Sequence, residues 1–411
     1  MKIETKKIYK IFILTLFLVT IISSYFTVYA VDDFEVDANA AIIVETNTGK
    51  VIYEKDSNAQ NFPASVTKVL TAILAIENCK LDETATVSQT AISHIPEGYV
   101  VAPLYVGEEV TIKDLLYALM LKSANDAAYV LAEHVGGSVE GFSEMMNKKA
   151  KEIGCKGTNF VNPNGIHNIE HYTTAYDMYL MSKYAMKNQT FAEIVSTYKY
   201  TLSATNKYPN SNRIMENTNS FINPKSSYYD ETVKGIKTGT TLQAGNCLIT
   251  DSAKDGLEFI TVILGAKTET SRFSETRKMI DYAFDNYTLT QLHKKGDVIK
   301  NIEVEKATQE TKNLNLVIDK EITVMNNVKI TADQMKPEIK LNENITAPIS
   351  QGQQLGTIKY SVDGLEYTAK LLAQTDVELK TYYAEIFIGS AIVIFIISFI
   401  ILIKKARGVF A

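Results

Sequence analysis

An uncharged apolar run near the C-terminus, residues 386–403, limits what the rest of the chain can become. A helix of this length is just long enough to cross the hydrocarbon core of a bilayer. Lys404, Lys405 and Arg407 follow the run directly, and cations beside a membrane span stay on its cytoplasmic side. We therefore predict a C-terminal membrane anchor over 376–411, with the preceding chain on the opposite side of the membrane.

The N-terminus carries a second uncharged run, 11–28, which follows four lysines within the first ten residues. Positive residues, an apolar stretch and a small residue before a cleavage point, here Ala30, are typical of a secretory signal peptide. We predict a signal peptide over 1–30. The run is longer than most signal cores, so an anchor that is not removed is also possible. Both interpretations place the intervening chain outside the cytoplasm.

The overall charge of the chain argues against nucleic-acid binding. A net charge of −5 and a pI near 5.7 give no basic footprint for nucleic acid, so no nucleic-acid partner is predicted.

His167 and His171 are four residues apart but lack the glutamate placement of a zinc protease helix. We predict no metal site and no cofactor. Three cysteines allow at most one disulfide, and their spacing does not show which.

The length of 411 residues predicts two domains with attachments. Between 31 and 288, strand patterns lie at both ends and helical patterns in the middle. This order favours an α+β domain in which helices cover an antiparallel sheet. Residues 82–110 contain scattered prolines and glycines and are expected to form surface loops. Short alternating stretches over 289–375 predict a small all-β domain without a catalytic set.

The first candidate chemistry lies where Ser65 and Lys68 precede the apolar run 69–76. The pattern after Pro63 predicts a mostly buried helix, and residues three apart lie on one side of a helix. The Lys68 amine can therefore reach the Ser65 hydroxyl. A lysine activates a serine when burial or nearby cations keep the amine neutral. Taken alone, the pair also fits a helix-capping serine followed by an exposed lysine.

Two further polar stretches change this balance. Ser-Ala-Asn at 123–125 lies on a predicted link between two helices, where residues two apart can face one cavity. Lys-Thr-Gly at 237–239 lies in a predicted strand. Singly, they fit a polar turn and an ordinary edge strand. Together and in this order, the three motifs are the set shared by class A β-lactamases and penicillin-binding proteins.

With these motifs in place, the chain closely resembles the low-molecular-mass penicillin-binding proteins, which are serine-type D-alanyl-D-alanine carboxypeptidases. The resemblance includes the stretches 158–165 and 171–177 and extends over residues 33–372. It implies the penicilloyl-serine transferase fold, also called β-lactamase-like, with a trailing β domain. It further implies removal of the terminal D-alanine from peptidoglycan pentapeptides that end in D-Ala-D-Ala, and acylation by β-lactam antibiotics such as penicillin.

The resemblance assigns the catalytic roles by position in this sequence. It implies that Ser65 is the acylated nucleophile and that Lys68 is the base that activates it. It implies that Ser123 relays a proton to the departing D-alanine. The backbone N–H groups of Ser65 and Thr240 would form an oxyanion hole, in which each donor is worth about 3 kcal/mol in comparable enzymes.

The resemblance also implies a substrate-binding set. Asn125 would hold the peptide amide of the substrate, and Lys237 would supply positive charge near its terminal carboxylate. Thr238 and Thr240 would donate hydrogen bonds to that carboxylate, and Gly239 completes the motif. A second cation beside Lys68 would also favour the neutral form of that base, because like charges oppose protonation.

Some features depart from the family pattern. Many relatives carry histidine where this chain has Asn164, before Gly165, which puts a role of that side chain in placing a deacylating water in doubt. The usual family tail lies on the membrane, whereas 386–403 is predicted to span it. A class A β-lactamase would need a Glu-x-x-Leu-Asn loop, and Glu170 and Glu193 lack those neighbours. Slow penicilloyl hydrolysis is therefore expected. The sequence also leaves open an endopeptidase that uses the same site, and a non-catalytic wall-binding scaffold.

Overall fold

The structure is a computed structural model that describes residues 34–210, 212–381 and 383–407. The predicted signal peptide and its cleavage point lie outside these residues. The buried apolar side chains form clusters in two separate stretches of the chain. The larger core and a second, smaller cluster lie within residues 40–280, and another core lies within residues 304–377.

The larger part contains strands at both ends of its sequence and helices between them. The strands are β1 (Ala40–Glu45), β2 (Val51–Lys55), β3 (Thr84–Thr86), β4 (Glu109–Thr111), β5 (Lys199–Thr201), β6 (Ile214–Glu216), β7 (Val233–Thr241), β8 (Gly245–Lys254) and β9 (Leu257–Ala266). The helices are α1 (Lys68–Asn78), α2 (Gln89–Ser93), α3 (Ile112–Tyr117), α4 (Asn125–Gly136), α5 (Val139–Ile153), α6 (Ala175–Met186), α7 (Gln189–Ser196) and α8 (Glu269–Asn286).

The main sheet has five antiparallel strands in the order β2-β1-β9-β8-β7. Consecutive residues of β1, β8 and β9 are buried. Side chains alternate between the faces of a strand, so both faces of the sheet are covered. The α6 and α8 helices both contact β9. The predicted α+β architecture is confirmed, and β7, which carries the Lys-Thr-Gly motif, is an edge strand.

Local sequence signals account for most of the helix boundaries. The Thr111 side chain caps α3 by accepting a hydrogen bond from the Asp114 N–H at 3.1 Å, and a threonine followed three residues later by an acidic residue is a common sequence signal for a helix start. Gly137, in a left-handed conformation, ends α4. The prediction that 82–110 forms only loops is wrong, because this stretch contains β3 and α2. The β3 strand is short and pairs with β4, and such a long-range partner has no local signal.

The small domain contains strands only, apart from one turn of 3-10 helix at Ala332–Gln334. Its main sheet has the order β11-β12-β16-β15-β14, and β10 pairs with β13. The β10 strand spans the predicted domain boundary at 288. The strands are β10 (Tyr287–His293), β11 (Val298–Glu303), β12 (Asn313–Ile318), β13 (Ile322–Asn327), β14 (Pro337–Leu341), β15 (Gln354–Val362) and β16 (Leu365–Ala373).

A final helix, α9, covers Tyr383–Arg407. Its segment Phe387–Lys404 is long and apolar enough to cross a membrane, and none of that segment is buried against the rest of the described chain. Packing against the described part of the chain therefore does not account for the apolar character of this segment.

Candidate active site

The serine of the first motif lies in a tight turn before α1. Residues 64–67 form one turn of 3-10 helix, and Ala64 has a positive φ of 50°. Non-glycine residues rarely adopt this left-handed conformation, and such strain is concentrated at functional sites. The predicted buried helix is present, but it begins at Lys68 rather than at Ser65. The Ser65 side chain is not a helix cap, because Pro63 occupies the N-cap position.

Two glycines bring other segments against this turn. A Cβ on Gly239 would lie 2.9 Å from the Ser65 nitrogen, so the Lys-Thr-Gly strand can approach the serine only because it carries glycine here. Gly165 has a φ of 83°, and a Cβ there would lie 1.8 Å from the Ala64 carbonyl oxygen. The loop that ends at Gly165 therefore packs directly on the strained residue before the nucleophile.

Lys68 is completely buried and has three polar partners. Its Nζ lies 3.0 Å from Ser65 Oγ, 3.0 Å from Asn125 Oδ1 and 2.8 Å from the Asn164 carbonyl oxygen. Burial, followed by the positive charge of Lys237, holds the pKa of Lys68 well below its ordinary value. The first motif, the second motif and the loop before Gly165 thus meet at one amine.

The second motif begins in unusual backbone. Residues 118–122 form a π-helical segment after α3, and Ser123 follows with a positive φ of 65°. Asn125 is the first residue of α4, rather than part of the link as predicted, and its Nδ2 donates to the Val100 carbonyl oxygen at 2.9 Å. The neighbouring Asp126 carboxylate accepts the backbone N–H of Ala102. The α4 N-terminus therefore fixes the loop that borders the site.

The third motif lies along β7. Lys237 is buried, and its Nζ donates to the Thr238 carbonyl oxygen at 2.8 Å. Burial, followed by the nearby charge of Arg272, lowers the pKa of Lys237 to about 7. The Thr238 hydroxyl lies 2.6 Å from the Thr218 hydroxyl. The motif therefore combines a buried amine with hydroxyl groups at the strand surface.

Arg272 on α8 borders the site and was not among the predicted site residues. It is 3% exposed, its Nη1 donates to Thr240 Oγ1 at 3.0 Å, and its Nη2 donates to Glu269 Oε1 at 2.8 Å. A signal was present, because Arg272 shares the buried face of α8 with Phe273 and Thr276. An arginine on the buried face of an amphipathic helix indicates a paired or functional cation.

His171 was also absent from the predicted site residues. It is buried, and its Nδ1 accepts the backbone N–H of Val161 at 3.1 Å. The ring proton therefore lies on Nε2, which is 2.9 Å from Thr67 Oγ1, and that hydroxyl donates to the Ala64 carbonyl oxygen at 2.8 Å. Burial lowers the pKa of His171 to about 3. A neutral histidine thus supports the turn that carries Ser65.

These segments enclose a cavity of about 540 Å³, within the size range of small-molecule sites. The motif residues Lys68 and Lys237 are buried and are not among the residues that line it. The motif residues that line the cavity are Ser65, Ser123, Asn125, Thr238, Gly239 and Thr240. Its lining also includes Asn164, Gly165, Thr218 and Arg272. The three motifs, which are far apart in the sequence, therefore surround one site.

Comparison with known proteins agrees with this arrangement. The family model for D-alanyl-D-alanine carboxypeptidases matches residues 27–268, which is more than half of the chain. The chain belongs to the D-alanyl-D-alanine carboxypeptidase family. A second model, the C-terminal domain of penicillin-binding protein 5, matches residues 287–379 of this carboxypeptidase.

Individual relatives agree with the family assignment. The D-alanyl-D-alanine carboxypeptidase DacF of Bacillus subtilis is 35% identical over 84% of this carboxypeptidase and 85% of the relative. The crystal structure of the D-alanyl-D-alanine carboxypeptidase DacD from Francisella tularensis has a TM-score of 0.63 at 26% identity, covering 84% and 95% of the two chains. A Streptomyces K15 DD-transpeptidase structure has a TM-score of 0.56 at 31% identity, covering 61% and 98%. The carboxypeptidase is thus a serine-type enzyme of the penicillin-binding protein group.

Proposed function

We propose that this enzyme acts outside the cytoplasm, removes the terminal D-alanine of peptidoglycan pentapeptides through an acyl-Ser65 intermediate, and is acylated by penicillin at the same serine. The arrangement around Lys68 carries this proposal. A neutral amine has two N–H donors and one lone pair. The oxygens of Asn125 and Asn164 are acceptors and take the two N–H groups. The lone pair therefore faces the third partner, the Ser65 hydroxyl.

This geometry supports acylation as the first step. Lys68 takes the hydroxyl proton while Ser65 Oγ attacks the carbonyl carbon of the penultimate D-alanine. The backbone N–H groups of Ser65 and Thr240 donate hydrogen bonds to the carbonyl oxygen and stabilise the negative charge that develops on it. The C–N bond then breaks, and the amine of the leaving D-alanine takes a proton through Ser123. Water hydrolyses the resulting ester and regenerates Ser65.

The other end of the site is suited to bind the terminal carboxylate of the substrate. Lys237, Thr238 and Thr240 come from the edge strand, and Arg272 approaches Thr240 from α8. A cation backed by hydroxyl donors recognises a carboxylate by charge-assisted hydrogen bonds. Asn125 binds the peptide amide once substrate displaces one of its internal partners. This set explains a preference for a free C-terminus.

Slow hydrolysis of the penicilloyl ester is part of the proposal. Among the described residues that line the cavity, Glu269 supplies the one carboxylate, and it is paired with Arg272. The Glu269 side chain is 77% exposed, unlike a buried base positioned to activate water. The cavity therefore favours a long-lived adduct over β-lactamase turnover.

The membrane topology completes the proposal. We infer that Phe387–Lys404 spans the bilayer, with Lys404, Lys405 and Arg407 on the cytoplasmic side. The catalytic part would then be tethered at the outer face of the membrane, where peptidoglycan peptides are found.

The test measures D-alanine released from a pentapeptide that ends in D-Ala-D-Ala, and the intact mass of the protein after benzylpenicillin treatment. We expect D-alanine release and one penicilloyl adduct on the peptide that contains Ser65. The same pentapeptide with a C-terminal amide is the matched control and should be a poor substrate. Equal cleavage of acid and amide, or rapid turnover of benzylpenicillin, would contradict the proposal. Preferential cleavage of a cross-linked muropeptide would instead favour an endopeptidase.

Removing the charge of Lys237 is expected to move the acid limb of penicillin acylation to higher pH. The positive charge of Lys237 lowers the pKa of Lys68, so removing that charge in Lys237→Gln raises the pKa of Lys68. At any acidic pH, less of the base is then neutral. The second-order acylation rate measured against pH gives the midpoint. Lys237→Arg keeps the charge and should leave the midpoint in place. An unshifted midpoint in Lys237→Gln would refute this coupling.

Thr67→Val is expected to acylate about tenfold more slowly, which corresponds to the loss of one well-placed hydrogen bond. Valine keeps the shape but removes the hydroxyl that joins His171 to Ala64. The fall should appear in the acylation rate constant and not in the preceding binding constant for penicillin. The control is Ser143→Ala, which removes a buried hydrogen bond within α5. An acylation rate constant that stays at the native value in Thr67→Val would show that the hydroxyl only stabilises the fold.

A further inference from the structure

A second cluster of polar side chains lies outside the active site, where the C-terminal ends of α1 and α4 meet. Cys79 directly follows α1, Glu83 lies four residues later, and His134 is in the last turn of α4. One ligand atom from each side chain lies within 4.8 Å of the other two. We propose that Cys79, Glu83 and His134 bind a zinc ion.

The ligand types favour zinc over other common cations. A thiolate, an imidazole and a carboxylate are all established zinc ligands, whereas Mg²⁺ and Ca²⁺ prefer oxygen alone. Zinc bonds of about 2.0–2.3 Å in a tetrahedron place ligand atoms roughly 3.3–3.8 Å apart. The present separations are at most 4.8 Å. Small side-chain rotations would therefore complete the site, with water as the fourth ligand.

An ion can enter this cluster from solvent. The side chains of His134 and Glu83 are 26% and 42% exposed, and Cys79 is half-buried. His134 Nε2 and Glu83 Oε1 now share a hydrogen bond of 2.8 Å. Both side chains are therefore already directed toward each other, and a zinc ion would take the place of the proton that they share.

Electrostatics links binding to deprotonation of the thiol. Cysteine binds zinc as its thiolate, so the Cys79 thiol must lose its proton when the metal binds. A divalent cation neutralises the carboxylate and stabilises the thiolate. Binding therefore releases the thiol proton to solvent, forms the Zn–S bond, and strengthens as the pH rises.

The position of the cluster gives the ion a structural consequence. The N-terminal ends of the same two helices carry Lys68 and Asn125, whose side chains are 3.0 Å apart. Zinc would join the opposite ends, between the residue after α1 and the last turn of α4. The two helices that hold the catalytic amine would then be connected at both ends, which should stabilise the folded state.

The experiment uses the full chain in detergent, freed of metal by a chelator and kept under a reductant that does not bind zinc. Calorimetric titration should show one equivalent of Zn²⁺. Co²⁺ should give a thiolate-to-cobalt charge-transfer absorption. Saturating Zn²⁺ should raise the melting temperature by roughly 5 °C. Cys79→Ser and His134→Gln should each weaken binding by more than about 100-fold, since even outer-shell changes cost 10–100-fold.

The matched control is His94→Gln, because His94 stacks on Tyr129 of α4 but is not part of the cluster. This variant should keep full affinity and the melting shift. The proposal is overturned if no saturable binding is seen at Zn²⁺ concentrations up to about 100-fold above the micromolar range. It is also overturned if the protein binds several equivalents of Zn²⁺ weakly, or if Cys79→Ser binds Zn²⁺ with the affinity of the native protein. None of these results depends on the catalytic reaction, so the proposed function stands or falls separately.

Discussion

Ser65→Ala is expected to abolish release of D-alanine and to leave the protein unmodified by penicillin. Alanine removes the only atom that forms the acyl bond in the proposed mechanism, while the turn and the Lys68 side chain can stay in place. Loss of a nucleophile that acts as a unit with its base costs about 10⁴-fold or more in kcat. Single-turnover release of D-alanine and intact-mass analysis measure the two losses.

Folding must be separated from chemistry in this variant. Ser65 is only partly buried in its turn, so Ser65→Ala should keep the melting temperature of the native protein within a few degrees. Ser93→Ala, at an exposed position in α2, is the control for handling and should keep full activity. A well-folded Ser65→Ala that still forms a penicilloyl adduct would transfer the nucleophile to another residue.

Lys68→Met is expected to lower the acylation rate by about 10³-fold, within the range that a positioned general base contributes. Methionine fills a similar volume but has no lone pair to accept the Ser65 proton. It also leaves the Asn125 amide oxygen and the Asn164 carbonyl oxygen without the N–H groups that they now accept. The measurement is the rate constant for penicilloyl formation, with melting temperature recorded in parallel.

Lys68→Arg distinguishes a base from a fixed positive charge. A guanidinium stays protonated and cannot accept a proton, so this variant should be as slow as Lys68→Met if Lys68 acts as a neutral base. Activity close to the native level in Lys68→Arg would mean that Lys68 acts through its charge. Lys113→Met, which changes an exposed lysine on α3, should have no effect on the rate.

The role of Asn164 follows from the same network. The sequence left this position uncertain, because the family often has histidine there. In the structure the Asn164 carbonyl oxygen holds Lys68, and its side-chain Nδ2 donates to Asn125 Oδ1 at 3.0 Å. The backbone contact to Lys68 is available to any residue type at this position. The side chain adds a link between the second motif and the loop that ends at Gly165.

The sequence alone determined the features that depend on neighbours within one turn or one strand. The spacing of Ser65 and Lys68 placed both groups on one side of a turn, and the structure shows their atoms 3.0 Å apart. Periodicity predicted the buried α1, and the Thr111 cap of α3 is likewise a signal contained in a few neighbouring residues. The order of the three motifs indicated the family. The inferences from spacing and periodicity succeeded because i to i+3 geometry and alternation are properties of the local backbone.

Only the tertiary structure decided which distant groups complete the site. Asn164 reaches Lys68 across 96 positions, and His171 supports the serine turn through Thr67 across 104 positions. Arg272 reaches Thr240 next to the Lys-Thr-Gly motif from α8, which lies more than 25 residues further along the chain. Cys79 and His134 meet only because α1 and α4 pack together. Such contacts arise from the way the helices and the sheet pack. A single sequence does not give the distances between residues that are far apart in the chain.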